Sequence, residues 1–110
     1  MDLIVEHVTR FNAGVRSGDY RPMLEQFTDD AELAFEGVGV GPFVGRGAIA
    51  DAYRRQPPDD ELDLLEVSEI PGGGVVAGYA WRARPSVRAG EMRFRLHEGR
   101  ISQLVVTFDA

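Results

Sequence analysis

Residues 35–46 read FEGVGVGPFVGR, a glycine-rich stretch between a strand-like and a helix-like run, where backbone N–H groups could cradle a phosphate. Spacing decides against it. A dinucleotide turn needs glycines at n, n+2 and n+5, but Gly37 and Gly39 are followed at n+5 by Pro42, and Gly39 and Gly41 by Val44. The Gly-Lys-Ser/Thr ending of a P-loop is also absent. The histidines, His7 and His97, are far apart and neither has a helical histidine partner four residues on, so no imidazole metal site is expected. Carboxylates alone retain the capacity to hold a hard cation. There is no cysteine, which removes thiolate zinc sites, disulfides and cysteine nucleophiles together. Neither Ser68 nor Ser102 lies in a nucleophile elbow, so a Ser-His-Asp site is not expected.

The elements that position such groups must come from 110 residues, which suits a single domain, 1–110, with one core. Hydrophobic residues at 44% and charged residues at 27% are ordinary for a globular chain. The net charge of −6 and the scattered arginines argue against a nucleic-acid partner. No apolar run reaches membrane-spanning length, and Asp2 and Glu6 sit where a signal peptide would be basic, so no membrane association and a cytoplasmic location are expected.

Ile4, Val8, Phe11 and Val15 recur at helical spacing, predicting a helix over 3–16. Ser17-Gly18-Asp19 stops it. Pro22 suits the first turn of a second helix, with Met23, Leu24 and Phe27 on its apolar face and Thr28-Asp29-Asp30 at its end. Residues 31–36 alternate as a strand, with Leu33 and Phe35 on one face. A third helix is predicted over 47–55, with Ile49 and Tyr53 one turn apart. Strands follow over 61–70, 75–84, 91–97 and 100–108, with a phase change at Leu64-Leu65 that predicts a bulge. Val75, Ala77, Tyr79 and Trp81 share one face, as do Met92, Phe94 and Leu96, and Leu104, Val106 and Phe108. Early helices and late consecutive strands signal an α+β fold with a mostly antiparallel sheet.

This order, with FNAGVRSGDYRPMLEQFTDDAEL near the start and VGRGAIADAYR after the first strand, resembles the NTF2-like superfamily, and within it the ketosteroid isomerase and SnoaL-like group. The resemblance covers essentially the whole chain. It implies a cone: three N-terminal helices packed on a curved, mostly antiparallel sheet, with an apolar ligand pocket at the open end and a tendency to form homodimers. The glycine loop would then cross the pocket mouth, and Phe43 could drop in as a lid.

Ketosteroid isomerases use a carboxylate base, with a tyrosine and a protonated aspartic acid as enolate donors. Carried onto this chain position by position, the tyrosine falls on Phe11, the base on Phe35 and the acidic donor on Met92. All three roles land on apolar residues. Tyr53 does match a supporting tyrosine of that group, and it would either donate to a ligand or keep its ring in the core. Glu36 and Glu91 stand one residue from the lost positions, and a bulge would turn either inward. Alternation with Arg93, Arg95 and His97 points Glu91 outward, whereas the glycine after Glu36 favours a bulge there.

Glu36 and Tyr53 are therefore the candidates for proton handling. Phe11, Val15, Phe35, Phe43, Tyr53, Tyr79, Trp81 and Met92 are the candidate walls for a hydrophobic small molecule, with no cofactor and no metal. Two other readings stay open: a non-catalytic binder of the same kind of molecule, and a dimeric interaction module without a ligand.

Overall fold

The structure, a computed structural model, describes residues 2–109. Helix α1, Asp2–Ser17, buries Ile4, His7, Val8 and Phe11, one stripe of a 3.6-residue period. It stops at Gly18, whose positive φ of 82° suits a residue without Cβ and whose N–H donates to the Gly14 carbonyl at 2.7 Å. The second helix, α2, is only the single turn Arg21–Leu24. Strand β1, Phe27–Phe35, begins four residues earlier than the alternation alone predicts. Its early start has a tertiary cause: Phe27 pairs with Ile101, and the Ile101 N–H donates to the Gln26 carbonyl at 2.8 Å. That contact places Phe27 fully inside the core.

A short strand β2, Phe43–Val44, precedes helix α3, Arg46–Arg55. Four strands follow: β3, Leu62–Ile70; β4, Gly74–Trp81; β5, Arg88–His97; and β6, Arg100–Val106. The expectation of three N-terminal helices is therefore corrected. Only α1 and α2 precede the sheet, and α3 follows two strands.

The sheet runs β2-β1-β6-β5-β4-β3 and does not close. Among the described residues only the β1–β6 pair is parallel. Register breaks occur at Phe27/Glu32, Leu64/Val67, Tyr79/Ala80 and Arg95/Leu96, and such interruptions bend a sheet. The break beside Leu64 is the bulge expected from the sequence. Leu96 keeps its place in the β5 alternation, opposite the buried Ile101, but next to the hairpin turn it is 36% exposed instead of buried. Glu98 and Gly99, with φ of 51° and 80°, make the tight turn between β5 and β6.

Directly paired residues share a face, so Leu33, Leu104, Phe94 and Val75 form one inner row, and Phe35, Val106, Met92 and Ala77 another. The opposite face carries Glu91, Arg93, Glu32 and Gln103. The stripe of α1 packs on the inner face. Asn12 pins it there, donating to the Leu62 carbonyl at 2.9 Å and accepting from the Leu62 N–H at 2.7 Å. No helix among the described residues is long and apolar enough to cross a membrane.

Two strand glycines admit neighbours of different kinds. A Cβ at Gly90 would overlap the Thr107 backbone carbonyl, whereas one at Gly78 would overlap the end of the Glu66 side chain. Backbone cannot swing aside, but a half-exposed glutamate can. Gly90→Ala is expected to destabilise by about 1–3 kcal/mol, while Gly78→Ala should stay within roughly 0.5 kcal/mol of wild type. Urea unfolding of the two variants checks this; equal losses would contradict it.

Candidate ligand cavity

Where α1 and α3 face the inner side of the sheet, the packing leaves a cavity of about 140 Å³. Each element contributes at its own period. Helix α1 gives His7 and Phe11, four residues apart, and α3 gives Ala52 and Tyr53, with Gln56 just past its end. The strands contribute alternate residues: Leu33 and Phe35 from β1, Tyr79 and Trp81 from β4, Met92 from β5, and Leu104 and Val106 from β6. Val40 of the glycine loop and Phe43 of β2 close one side, next to Phe108. Phe108 lies beyond the end of β6 and is 45% exposed, so it is not the buried strand residue expected; it stacks on Phe35 with ring centroids 6.3 Å apart.

Most of the walls expected from the sequence meet here: Phe11, Phe35, Phe43, Tyr53, Tyr79, Trp81 and Met92 all line the cavity. Val15 does not. It lies one turn beyond Phe11 and packs, partly buried, against the core. Glu36 is also outside. Its N–H donates to the Val106 carbonyl at 2.9 Å, continuing the ladder past Phe35, so no bulge turns it inward. Its side chain is exposed and lies 3.6 Å from Arg93 on the outer face. Glu91 is held on that face too, with its carboxylate 3.1 Å from Arg88 and 3.4 Å from Arg93. The carboxylate pair that a bulge would have produced is spent on arginines. Asp109 likewise accepts from Arg88 at 2.8 Å.

The polar tips among the walls are few. The Tyr79 hydroxyl donates to the Thr107 carbonyl at 3.0 Å, and burial, aided by the nearby Asp109 charge, pushes its pKa up to about 12. The Tyr53 ring lies 5.0 Å from Tyr20 and 6.4 Å from Phe11. Burial, with a smaller contribution from Tyr20, raises its pKa well above that of a free tyrosine, so its hydroxyl keeps its proton at neutral pH. Tyr20 reaches these rings because Gly14 has no Cβ to block it.

Sequence reasoning missed His7. It is 2% exposed and its Nδ1 lies 3.1 Å from Gln26 Oε1. Burial lowers its pKa to about 4, against a smaller opposing effect of the Gln26 hydrogen bond, so the ring is neutral at pH 7. The available signal was its position, three residues after Ile4 and four before Phe11, within an apolar stripe. Among the described residues no group of three or more His, Asp or Glu side chains is placed to hold a metal ion.

Comparison with known proteins supplies the family context. The model of the SnoaL-like domain matches residues 8–104. No curated protein sequence matches the chain. Among solved structures, the epoxide hydrolase/cyclase-like enzyme SalBIII, of pyran ring formation in the polyether salinomycin, is similar at 21% identity and a TM-score of 0.76. The match covers 98% of this chain and 88% of that one. A protein from Sphaerobacter thermophilus is 23% identical with a TM-score of 0.73, over 99% and 94% of the two chains. An NTF-2 like protein from Burkholderia xenovorans LB400 is 15% identical with a TM-score of 0.71, over 98% and 84%. At these identities the structural likeness speaks for the fold.

Proposed function

The chain belongs to the SnoaL-like domain family of the NTF2-like superfamily, and on that basis we propose that it binds a small hydrophobic molecule in the cavity between helices and sheet. The curved sheet and the helices form the cone of that fold, and the cavity is its hollow. The observation that carries this reading is the convergence of Phe11, Phe35 and Met92 on one space. In the ketosteroid isomerases the corresponding positions are the ones that handle protons. Here they make an apolar wall, which favours binding of an uncharged ring over enolate chemistry.

Size narrows the ligand. An apolar cavity of about 150 Å³ holds a benzene-sized molecule, whereas drug-sized ligands need roughly 300 Å³ or more. A cavity of about 140 Å³ therefore suits one ring rather than a four-ring steroid. Among the described residues no carboxylate lines the cavity, and the positions of the isomerase base and donors are apolar, so ketosteroid isomerisation is expected to be lost, since each such group is typically worth about 10²–10⁴ in rate.

Titration calorimetry with acetophenone and with a four-ring ketosteroid tests the proposal. Saturable binding of the one-ring ketone, with a negative heat-capacity change, is expected. The steroid should bind at least about tenfold more weakly, because it cannot be enclosed. Turnover of a β,γ-unsaturated ketosteroid should be absent in wild type and in Glu36→Gln. Robust turnover, or preference for the steroid, would refute the reading. Binding of neither ligand would favour the interaction module.

A further inference from the structure

We propose that His7 Nε2 accepts a hydrogen bond from the bound ring, so that the ligand is a one-ring molecule carrying a hydroxyl, of the phenol type. The inference rests on the cavity reading above and deepens it. His7 lines the cavity one helical turn before Phe11, and it is all but sealed from outside solvent. Its tautomer follows from its neighbours. The Gln26 amide nitrogen reaches the Leu3 carbonyl and Glu6 Oε1, each at 3.5 Å, which leaves Gln26 Oε1 facing His7 Nδ1 at 3.1 Å. An oxygen there needs a donor, so Nδ1 carries the ring proton and Nε2 carries a lone pair. Among the described residues Nε2 makes no hydrogen bond.

A hydroxyl entering an apolar cavity is unfavourable unless it finds an acceptor, and the Nε2 lone pair is available as one. Each would satisfy the other. Among the other polar groups, Tyr79 is bound to Thr107, Asn12 to Leu62, and Gln56 lies exposed at the end of α3; the Tyr53 hydroxyl and the Trp81 indole also line the cavity, but each carries a proton to donate, whereas Nε2 only accepts. The rings of Phe27 and Phe94, each 5.6 Å from the imidazole and edge-on to it, fix its orientation.

Phenol and toluene have nearly the same shape and differ in the hydroxyl, so the ratio of their affinities isolates the hydrogen bond. In His7→Phe the ratio of phenol to toluene affinity is expected to fall by about tenfold, whatever the change in toluene affinity itself. A ¹⁵N spectrum of wild type covers the case in which the variant does not fold. Nε2 should resonate as an unprotonated nitrogen and should move on addition of phenol but not of toluene. Toluene binding with an unchanged ratio, a proton on Nε2, or no phenol-specific movement would overturn the role of His7 alone. Failure of both ligands to bind wild type would overturn the cavity reading as well.

Discussion

Acidification from pH 7 to pH 4 is expected to remove about 3 kcal/mol of folding stability through His7. In the unfolded chain this imidazole titrates near the ordinary 6.5, and in the folded chain near 4. Between those values the unfolded state binds a proton that the folded state refuses, so stability falls as pH falls, by about 1.4 kcal/mol per unit. The contribution is fully present above pH 6.5 and lost as the pH drops through the folded value. The surroundings account for the direction. Two aromatic rings flank His7, Gln26 is neutral, and the nearby Arg10 charge disfavours a second cation. Glu6 lies on the same helix and pairs with Arg10 at 3.2 Å. Against a typical total of about 5–15 kcal/mol, this loss is large. Urea unfolding of wild type and His7→Phe at pH 7, 5.5 and 4 isolates the effect, because the exposed carboxylates are common to both. Parallel pH profiles would contradict it.

The second large effect concerns the cavity itself. Ala52 projects from α3 into the space beside Tyr53. Ala52→Phe would place a ring where the ligand is proposed to sit. Toluene affinity is expected to fall by at least about 100-fold, because one ring-sized space cannot hold two rings. Stability should not suffer, since cavity-filling changes commonly add about 0.5–2 kcal/mol. The wild type should respond to ligand in the opposite sense. At roughly 100 times its Kd a ligand adds about 2.7 kcal/mol by mass action, or on the order of 10 °C in Tm for a domain of this size. Ala52→Phe should lose that response. Undiminished binding by the variant would move the site elsewhere.

Much of this was legible in the sequence because local pattern and tertiary environment agree. The α1 stripe, the alternation of β4 and β5 and the bulge beside Leu64 all follow from periodicity or backbone sterics. The walls Phe35, Tyr79, Trp81 and Met92 follow from the same alternation. The remainder depended on partners distant in sequence. Phe27 reads as the end of a helix until Ile101 pairs with it. Leu96 reads as buried, but next to the hairpin turn, opposite Ile101, it is 36% exposed. Val15 shares the α1 stripe, but the cavity extends only as far as Phe11. Glu36 was a candidate only if the glycine after it bent the strand, and the bond to Val106 keeps the strand regular there. His7 carries no motif. Its role is visible only once Gln26, 19 residues away, fixes its tautomer.

The central claim is that one ring enters the hollow walled by Phe11, Phe35 and Met92. The methyl ¹³C–¹H spectrum of methionine-labelled protein, titrated with toluene, tests it most directly. Met92 lines the cavity, whereas Met23 is fully buried away from it. The Met92 methyl is expected to shift saturably while the Met23 methyl stays in place. No saturable shift at Met92, or equal shifts at both, would contradict the account.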